Sequence, residues 1–221
     1  MWCIPAADAA FVALMEIILD LYERPYDPAH PLVCFDETTK QLIEETRLPL
    51  LAKPGQVQRY DYEYRRNGTR NLFMFFEPLA GKRHVEVAQR RTKIDFAHQM
   101  RWLVDVAYPD AESIDVVLDN LNTHTVAALY EAFEPAEARR IARKLNFHYT
   151  PKHASWLNMA EIEFSVFSRK LGPRVPNEEA LKQKVEAIER TRNEQAATVD
   201  WQFTSDDARL KLKRLYPSFS D

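Results

Sequence analysis

The amino-acid sequence predicts an α/β protein: a mixed sheet, antiparallel over its first three strands and parallel afterwards, flanked by helices. Three observations lead there. The run Leu72-Phe73-Met74-Phe75-Phe76 is apolar at consecutive positions, so a strand bearing it needs cover on both faces. Up to about residue 88, strand-like segments are punctuated by the turn residues Asn67-Gly68 and Ala80-Gly81-Lys82. Beyond residue 90, helical periodicity alternates with short apolar strands, the pattern that feeds a parallel sheet through helical crossovers.

Each element has its own signal. Residues 7–23 read as a helix whose apolar positions (Phe11, Val12, Leu14, Met15, Ile18, Leu19, Tyr22) cover much of its circumference. Such a helix demands burial on more than one side, against another subunit if not within the chain. Pro25, Pro28 and Pro31 form a stiff spacer into a strand at 32–37, and 40–57, with Pro49, Pro54 and Gly55, reads as irregular connection. Asn67-Gly68 is expected to turn a hairpin between Tyr60–Arg66 and Thr69–Phe76, followed by a third strand at about 83–88. Thr92 with Asp95 forms a capping box for a helix striped by Ile94, Ala97, Met100, Leu103, Val104 and Ala107, which Pro109 ends. A strand at 114–118 follows, then a helix capped by Asn122 or Thr123 and a basic helix restarted by Pro135. The strand Asn146–Tyr149, a loop to Trp156, a helix carrying Glu161, and helices at 177–194 and 205–215 complete the order.

Composition narrows the function. A chain of 221 residues with 46 % apolar content suits one domain with a real core. Its net charge of −3 and pI near 6.1 do not announce a nucleic-acid protein, but 29 % of residues are charged and the basic ones cluster, as at Arg65-Arg66, Arg90-Arg91 and Arg139-Arg140. Each such run is ordinarily a solvated face, with at least one expected to meet DNA. Cys3 and Cys34 give no disulfide framework, and six scattered histidines give no zinc site. The apolar stretch 9–21 holds Glu16 and Asp20 and lacks the basic start of a signal peptide, so a cytoplasmic protein with no membrane partner is expected.

Three carboxylates stand out. Asp36 closes Leu32-Val33-Cys34-Phe35, Asp119 closes Ile114-Asp115-Val116-Val117-Leu118, and Glu161 lies in Leu157-Asn158-Met159-Ala160-Glu161 on a later helix. Carboxylate oxygens are the hard ligands that Mg²⁺ and Mn²⁺ prefer, and two ions about 3.5–4 Å apart hold both oxygens of an in-line displacement at phosphorus. An aspartate at a strand end is more commonly a turn residue, so the argument rests on the three together. Glu163 rivals Glu161: two apart on a helix they point about 200° from each other, and the stripe Ala160, Phe164, Phe167, Leu171 lies between them.

The element order is that of the ribonuclease H-like fold, in which the first and fourth strands are neighbours. The blocks Cys34-Phe35-Asp36-Glu37, Leu118-Asp119-Asn120-Leu121-Asn122-Thr123-His124 and Tyr149-Thr150-Pro151-Lys152-His153-Ala154-Ser155-Trp156-Leu157-Asn158-Met159-Ala160-Glu161 resemble the signature blocks of DDE transposases from bacterial insertion sequences related to the mariner elements. The likeness runs from about Pro25 to Pro217 and includes Arg90-Arg91-Thr92-Lys93 and Asp207-Ala208-Arg209.

That resemblance implies a metal-dependent DNA-cleaving and strand-transfer domain, with Asp36, Asp119 and Glu161 as the catalytic and metal-binding triad for two Mg²⁺ or Mn²⁺ ions. It selects Glu161 over Glu163, and its separation from Asp119 is longer than in mariner relatives, the Pro135 helix absorbing the difference. Asn120, His124, Lys152, His153, Arg90 and Arg91 are the implied DNA-contacting residues. For His124 a structural role is equally open, and Trp156 reads as a core wedge rather than a base-stacking platform. The organisation implied is an N-terminal helix and proline-rich linker over 1–31 and the catalytic domain with C-terminal helices over 32–221. The residues before Asp36 leave no room for the helix-turn-helix domains of full-length relatives. Implied partners are transposon-end and target DNA, a second copy in a homodimeric active complex, and a separately encoded DNA-binding half; the expected location is cytoplasmic, at the nucleoid. The alternative is a catalytically silent truncated transposase that acts only through DNA or subunit association.

Overall fold

The computed structural model describes residues 8–47, 50–57, 59 and 61–217; Cys3, Pro49 and Tyr60, which enter the expectations above, lie outside them. Five strands form one sheet: β1 (Leu32–Glu45), β2 (Tyr64–Glu77), β3 (Lys82–Ala88), β4 (Ile114–Leu118) and β5 (Leu145–Tyr149). Their order is β3-β2-β1-β4-β5, with β1–β2 and β2–β3 antiparallel and β1–β4 and β4–β5 parallel. This is the mixed ribonuclease H-like arrangement, with the first strand beside the fourth.

Alternation along β1 and β2 divides the core in two. Leu32, Cys34, Leu72, Met74 and Phe76 face a layer made by α1 (Ala9–Tyr22), α5 (Ala160–Leu171), α6 (Glu178–Glu194) and α7 (Ser205–Lys211). Val33, Phe35, Phe73 and Phe75 face α2 (Lys93–Trp102), a π-helical turn at Leu103–Ala107, α3 (Val126–Ala132) and α4 (Pro135–Lys144). Two-sided cover is what the run at 72–76 required. The burial that α1 needs is met within the chain: Met15, Ile18 and Leu19 are fully enclosed, while Ile17 remains exposed. Among the described residues no helix is long and apolar enough to cross a membrane.

Two expectations are corrected here. Asn67-Gly68 turns no hairpin; β2 runs straight through it from Tyr64 to Glu77. Gln41 pairs with Thr69 and Ile43 with Arg66, so Leu42 alone opposes both Asn67 and Gly68. This is a bulge with its glycine at φ +87°, the same left-handed backbone that a tight turn would have used. β1 accordingly does not stop at residue 37 but pairs with β2 as far as Glu45, so the connection between the two strands moves on to 46–63. The second correction concerns the cap after β4. Thr125, not Asn122 or Thr123, precedes α3, and it makes no side-chain cap bond. Residues 121–124 are spent on a turn, closed by His124 N–H donating to Leu121 O at 3.0 Å, that carries His124 inward. The Thr92–Asp95 capping box forms as expected.

The outer edge of β3 is occupied by side chains of α6. Arg83 N–H donates to Asn193 Oδ1 (2.9 Å), Asn193 Nδ2 donates to Arg83 O (2.8 Å), and Val85 N–H donates to Glu189 Oε2 (2.9 Å). The turn before β3 packs as closely: a Cβ on Gly81 would lie 2.5 Å from the carbonyl carbon and oxygen of Ala196, and its φ is +64°. Gly81→Ala is expected to destabilise the fold by roughly 2–5 kcal/mol, from left-handed strain plus backbone overlap. Gly68→Ala, at an open position, should cost only about 1–2 kcal/mol. Urea denaturation of the two variants checks the order.

Candidate functional site

The parallel pairing of β1 with β4 places the first two acids. The last pair is Cys34 with Val117, so two residues further along each strand come Asp36 and Asp119. Cys34 and Val117 belong to the same core layer, and the period of two returns Asp36 and Asp119 to that face. β4 ends at Leu118, leaving Asp119 at the mouth of a loop with a third of its side chain exposed, whereas Asp36 remains paired to Met74 inside β1.

Asn158 brings in the third acid. It is 2 % exposed; its Nδ2 donates to Phe35 O (2.8 Å), beside Asp36, and its Oδ1 accepts from Ala160 N–H (3.1 Å) at the first turn of α5. Tyr22 Oη on α1 donates to Leu157 O at 2.5 Å and adds a second tie. One turn into α5 the two glutamates separate. Glu161 is exposed, whereas Glu163 is fully buried between Arg192 (2.5 and 2.8 Å) and Arg83 (3.4 Å). Glu163 is thus a structural ion-pair partner, and the helix phase that sinks it turns Glu161 outward.

Electrostatics tie the three acids together. Burial pushes the Asp36 carboxyl up to about 7, and the charges of Glu161 and Asp119 push the same way, against the Glu37 backbone N–H it accepts at 2.7 Å and against His124. Carboxylates facing one another repel by about 4 kcal/mol per pair at 4 Å and an effective dielectric of about 20. Among the described residues no three acidic, histidine or cysteine side chains are gathered closely enough to hold a metal ion between them. Asp36, Asp119 and Glu161 offer oxygen donors only, and the imidazole Nδ1 of His124 is turned to Asp119 Oδ1; carboxylate oxygens suit Mg²⁺ or Mn²⁺ rather than zinc.

The other sequence-selected residues divide by exposure. Asn120, Lys152, His153, Arg90 and Arg91 are at the surface, and His153 sits at φ +66° in the block leading to α5. His124 is not: it has no exposed surface and cannot be a surface DNA contact. It lies between Phe96 (ring centroids 4.8 Å, stacked) and Phe35 (5.3 Å, edge-on), with Nδ1 2.5 Å from Asp119 Oδ1 and Nε2 3.6 Å from Glu37 Oε2. Burial alone would lower its pKa; Asp119 and Glu37 outweigh burial and raise it to about 9. Glu37, quoted in the first block without a role, also accepts from Arg91 at 3.2 Å. Trp156 is half-buried and packs edge-on against Phe203 (5.9 Å), a core wedge. Arg140 is committed to Asp105 and Glu137 on the opposite helix layer.

A family model described as DDE superfamily endonuclease matches residues 31–182. The chain is similar to solved structures of Mos1: a pre-cleavage transpososome (14 % identity, TM-score 0.60, 95 % of this chain and 62 % of that one), a strand transfer complex (16 %, 0.57, 92 % and 58 %) and a paired-end complex with Mn (15 %, 0.54, 97 % and 63 %). The chain therefore spans about three fifths of those Mos1 chains. No curated protein matches it.

Two measurements follow from the site. Glu163→Ala should destabilise the fold by roughly 3–5 kcal/mol by leaving buried arginines uncompensated, and Glu161→Ala by no more than about 0.5 kcal/mol; chemical denaturation of both reads the contrast. Asp36→Asn should leave the metal-free protein as stable as wild type near pH 4 and more stable above pH 7. The folded-state pKa is raised above the unfolded value, so the wild type loses stability as pH climbs from about 4 to about 7. Denaturation across pH in EDTA checks the sign.

Proposed function

This chain belongs to the DDE superfamily endonucleases, and from that membership we propose that it is the catalytic domain of a DNA transposase, cleaving strands at the ends of a mobile element and joining them to target DNA. What supports the reading is that Asp36 and Asp119 each lie two residues beyond the last pair of two neighbouring parallel strands, and that the charges of Asp119 and Glu161 both act on Asp36. Asp36, Asp119 and Glu161 are assigned the metal-binding and catalytic roles, for two Mg²⁺ or Mn²⁺ ions. Such ions, when bound, supply Lewis-acid stabilisation to the attacking and leaving oxygens of an in-line displacement.

The chain's own residues set the rest. Asp36, half-buried and held by its own strand, is assigned one side of the site, Asp119 the side open to the loop, and Glu161 the approach from α5. Asn120, Lys152, His153, Arg90 and Arg91 are proposed to hold phosphates at the rim, so binding should weaken steeply with salt and carry little sequence information. The Mos1 structures are described as a transpososome, a strand transfer complex and a paired-end complex with a transposon end; by that likeness the partners proposed here are element-end and target DNA, a second copy of the chain, and a separately encoded DNA-binding half. The domain division at residue 31 and a place at the nucleoid belong to the same reading.

The experiment is a Mn²⁺ titration followed by thermal unfolding and by nicking of duplex DNA, on wild type and Asp119→Asn in parallel. Stabilisation and nicking by wild type alone are expected. Mn²⁺ binding without nicking, with the end-binding half supplied, would favour the catalytically silent reading; equal behaviour of the two proteins would overturn the metal assignment.

A further inference from the structure

Asp119 reaches the site at the end of β4, where no further strand pairing holds it, and yet one of its carboxylate oxygens is fixed. His124 Nδ1 lies 2.5 Å from Asp119 Oδ1, and the opposite ring nitrogen, which makes no hydrogen bond among the described residues, lies at ion-pair distance, 3.6 Å, from Glu37 Oε2. The imidazole cannot turn away, because Phe96 stacks on it at 4.8 Å and Phe35 meets it edge-on at 5.3 Å, leaving no exposed surface. Tyr149 Oη donates to His124 O (2.8 Å) and pins the backbone of the same residue to β5. Glu37 is itself only 5 % exposed at its side chain and is held from outside by Arg91 at 3.2 Å.

We propose that His124 is a positioning residue for Asp119, and that Glu37, anchored by Arg91, fixes the imidazole from behind. The inference rests on the transposase reading above, since it assigns a task to Asp119. A buried histidine needs polar partners for its ring nitrogens, and most side-chain hydrogen bonds go to backbone or water rather than to other side chains. Here each ring nitrogen faces a carboxylate instead, one on β1 next to Asp36 and one on the loop after β4. The chain Arg91–Glu37–His124–Asp119 therefore crosses from β1 to β4 and fixes Asp119 relative to Asp36, the separation that matters for two ions. One oxygen of Asp119 is committed to His124; among the described residues its other oxygen accepts no hydrogen bond and remains for an ion. Partners that orient a ligand in this way commonly change metal affinity by about 10–100-fold when removed.

The test is calorimetric titration of the full chain with Mn²⁺ alone, paired with urea denaturation in EDTA, for wild type, Asp36→Asn, His124→Phe, His124→Asn and Glu37→Gln. His124→Phe keeps the ring stack and loses the contact, so Mn²⁺ binding should weaken about 10–100-fold. His124→Asn, whose amide can donate near the position of Nδ1, should recover part of that loss, and Glu37→Gln should fall between wild type and His124→Phe. Should His124→Phe not fold, His124→Asn and Glu37→Gln decide. Reduced stability with wild-type Mn²⁺ affinity in these variants would make His124 purely structural and overturn this inference alone. Absence in the wild type of any Mn²⁺ binding that Asp36→Asn abolishes would overturn the metal reading, and this inference with it.

Discussion

Three backbone pairs between β1 and β4, Leu32 with Asp115, Val33 with Val116 and Cys34 with Val117, set the geometry on which the site depends. Because side chains alternate faces along a strand, a slip of one residue would send Asp36 and Asp119 to opposite sides of the sheet. The register is protected by what the alternation buries. Val33 and Val116 lie in one core layer, and Cys34 and Val117 lie in the other. Both layers would be broken by a slip, so the cost of losing the site's geometry is borne by the whole core rather than by the acids themselves.

The acids do little to stabilise the fold that presents them. Asp36 is half-buried, and its carboxyl is driven up to about 7 by burial and by two neighbouring carboxylates. A few residues away the protein treats the same chemistry in the opposite way, sealing Glu163 between two arginines and locking α5 to β3 and α6. The Glu163 charge is compensated inside the core, whereas Asp36 has two carboxylates acting on it. His124 lies between these extremes, joining Asp119 to Glu37 in the core beneath the site.

Much of this was legible in local pattern. The doubly apolar run at 72–76 located an interior strand, the Thr92–Asp95 box marked its helix, and the end of β4 just before Asp119 followed from where its apolar run stops. What escaped was set by distant partners. Asn67-Gly68 advertises left-handed backbone, but whether that makes a turn or a bulge depends on the length of β1 opposite, which continues to Glu45 through polar residues. Asn158 looks like an ordinary loop residue until its amide meets Phe35 O, 123 positions away. The choice between Glu161 and Glu163 was likewise beyond helix periodicity, because Arg83 and Arg192, from separate elements, identify which glutamate is sealed. Glu37 had no local signal beyond its place in the block after Asp36.

The occupied edge of β3 has a consequence for how copies of this protein meet. A strand at a sheet margin normally offers a row of unpaired amides on which another chain can add a strand, a route to amyloid-like growth. Here Asn193 donates to and accepts from the backbone of Arg83, and Glu189 accepts from Val85, so three of those main-chain groups are already spoken for. An incoming strand would have to expel both side chains and α6 with them. Self-association along β3 is thereby discouraged, and the long strands β1 and β2 are shielded at this margin from growing into a larger sheet.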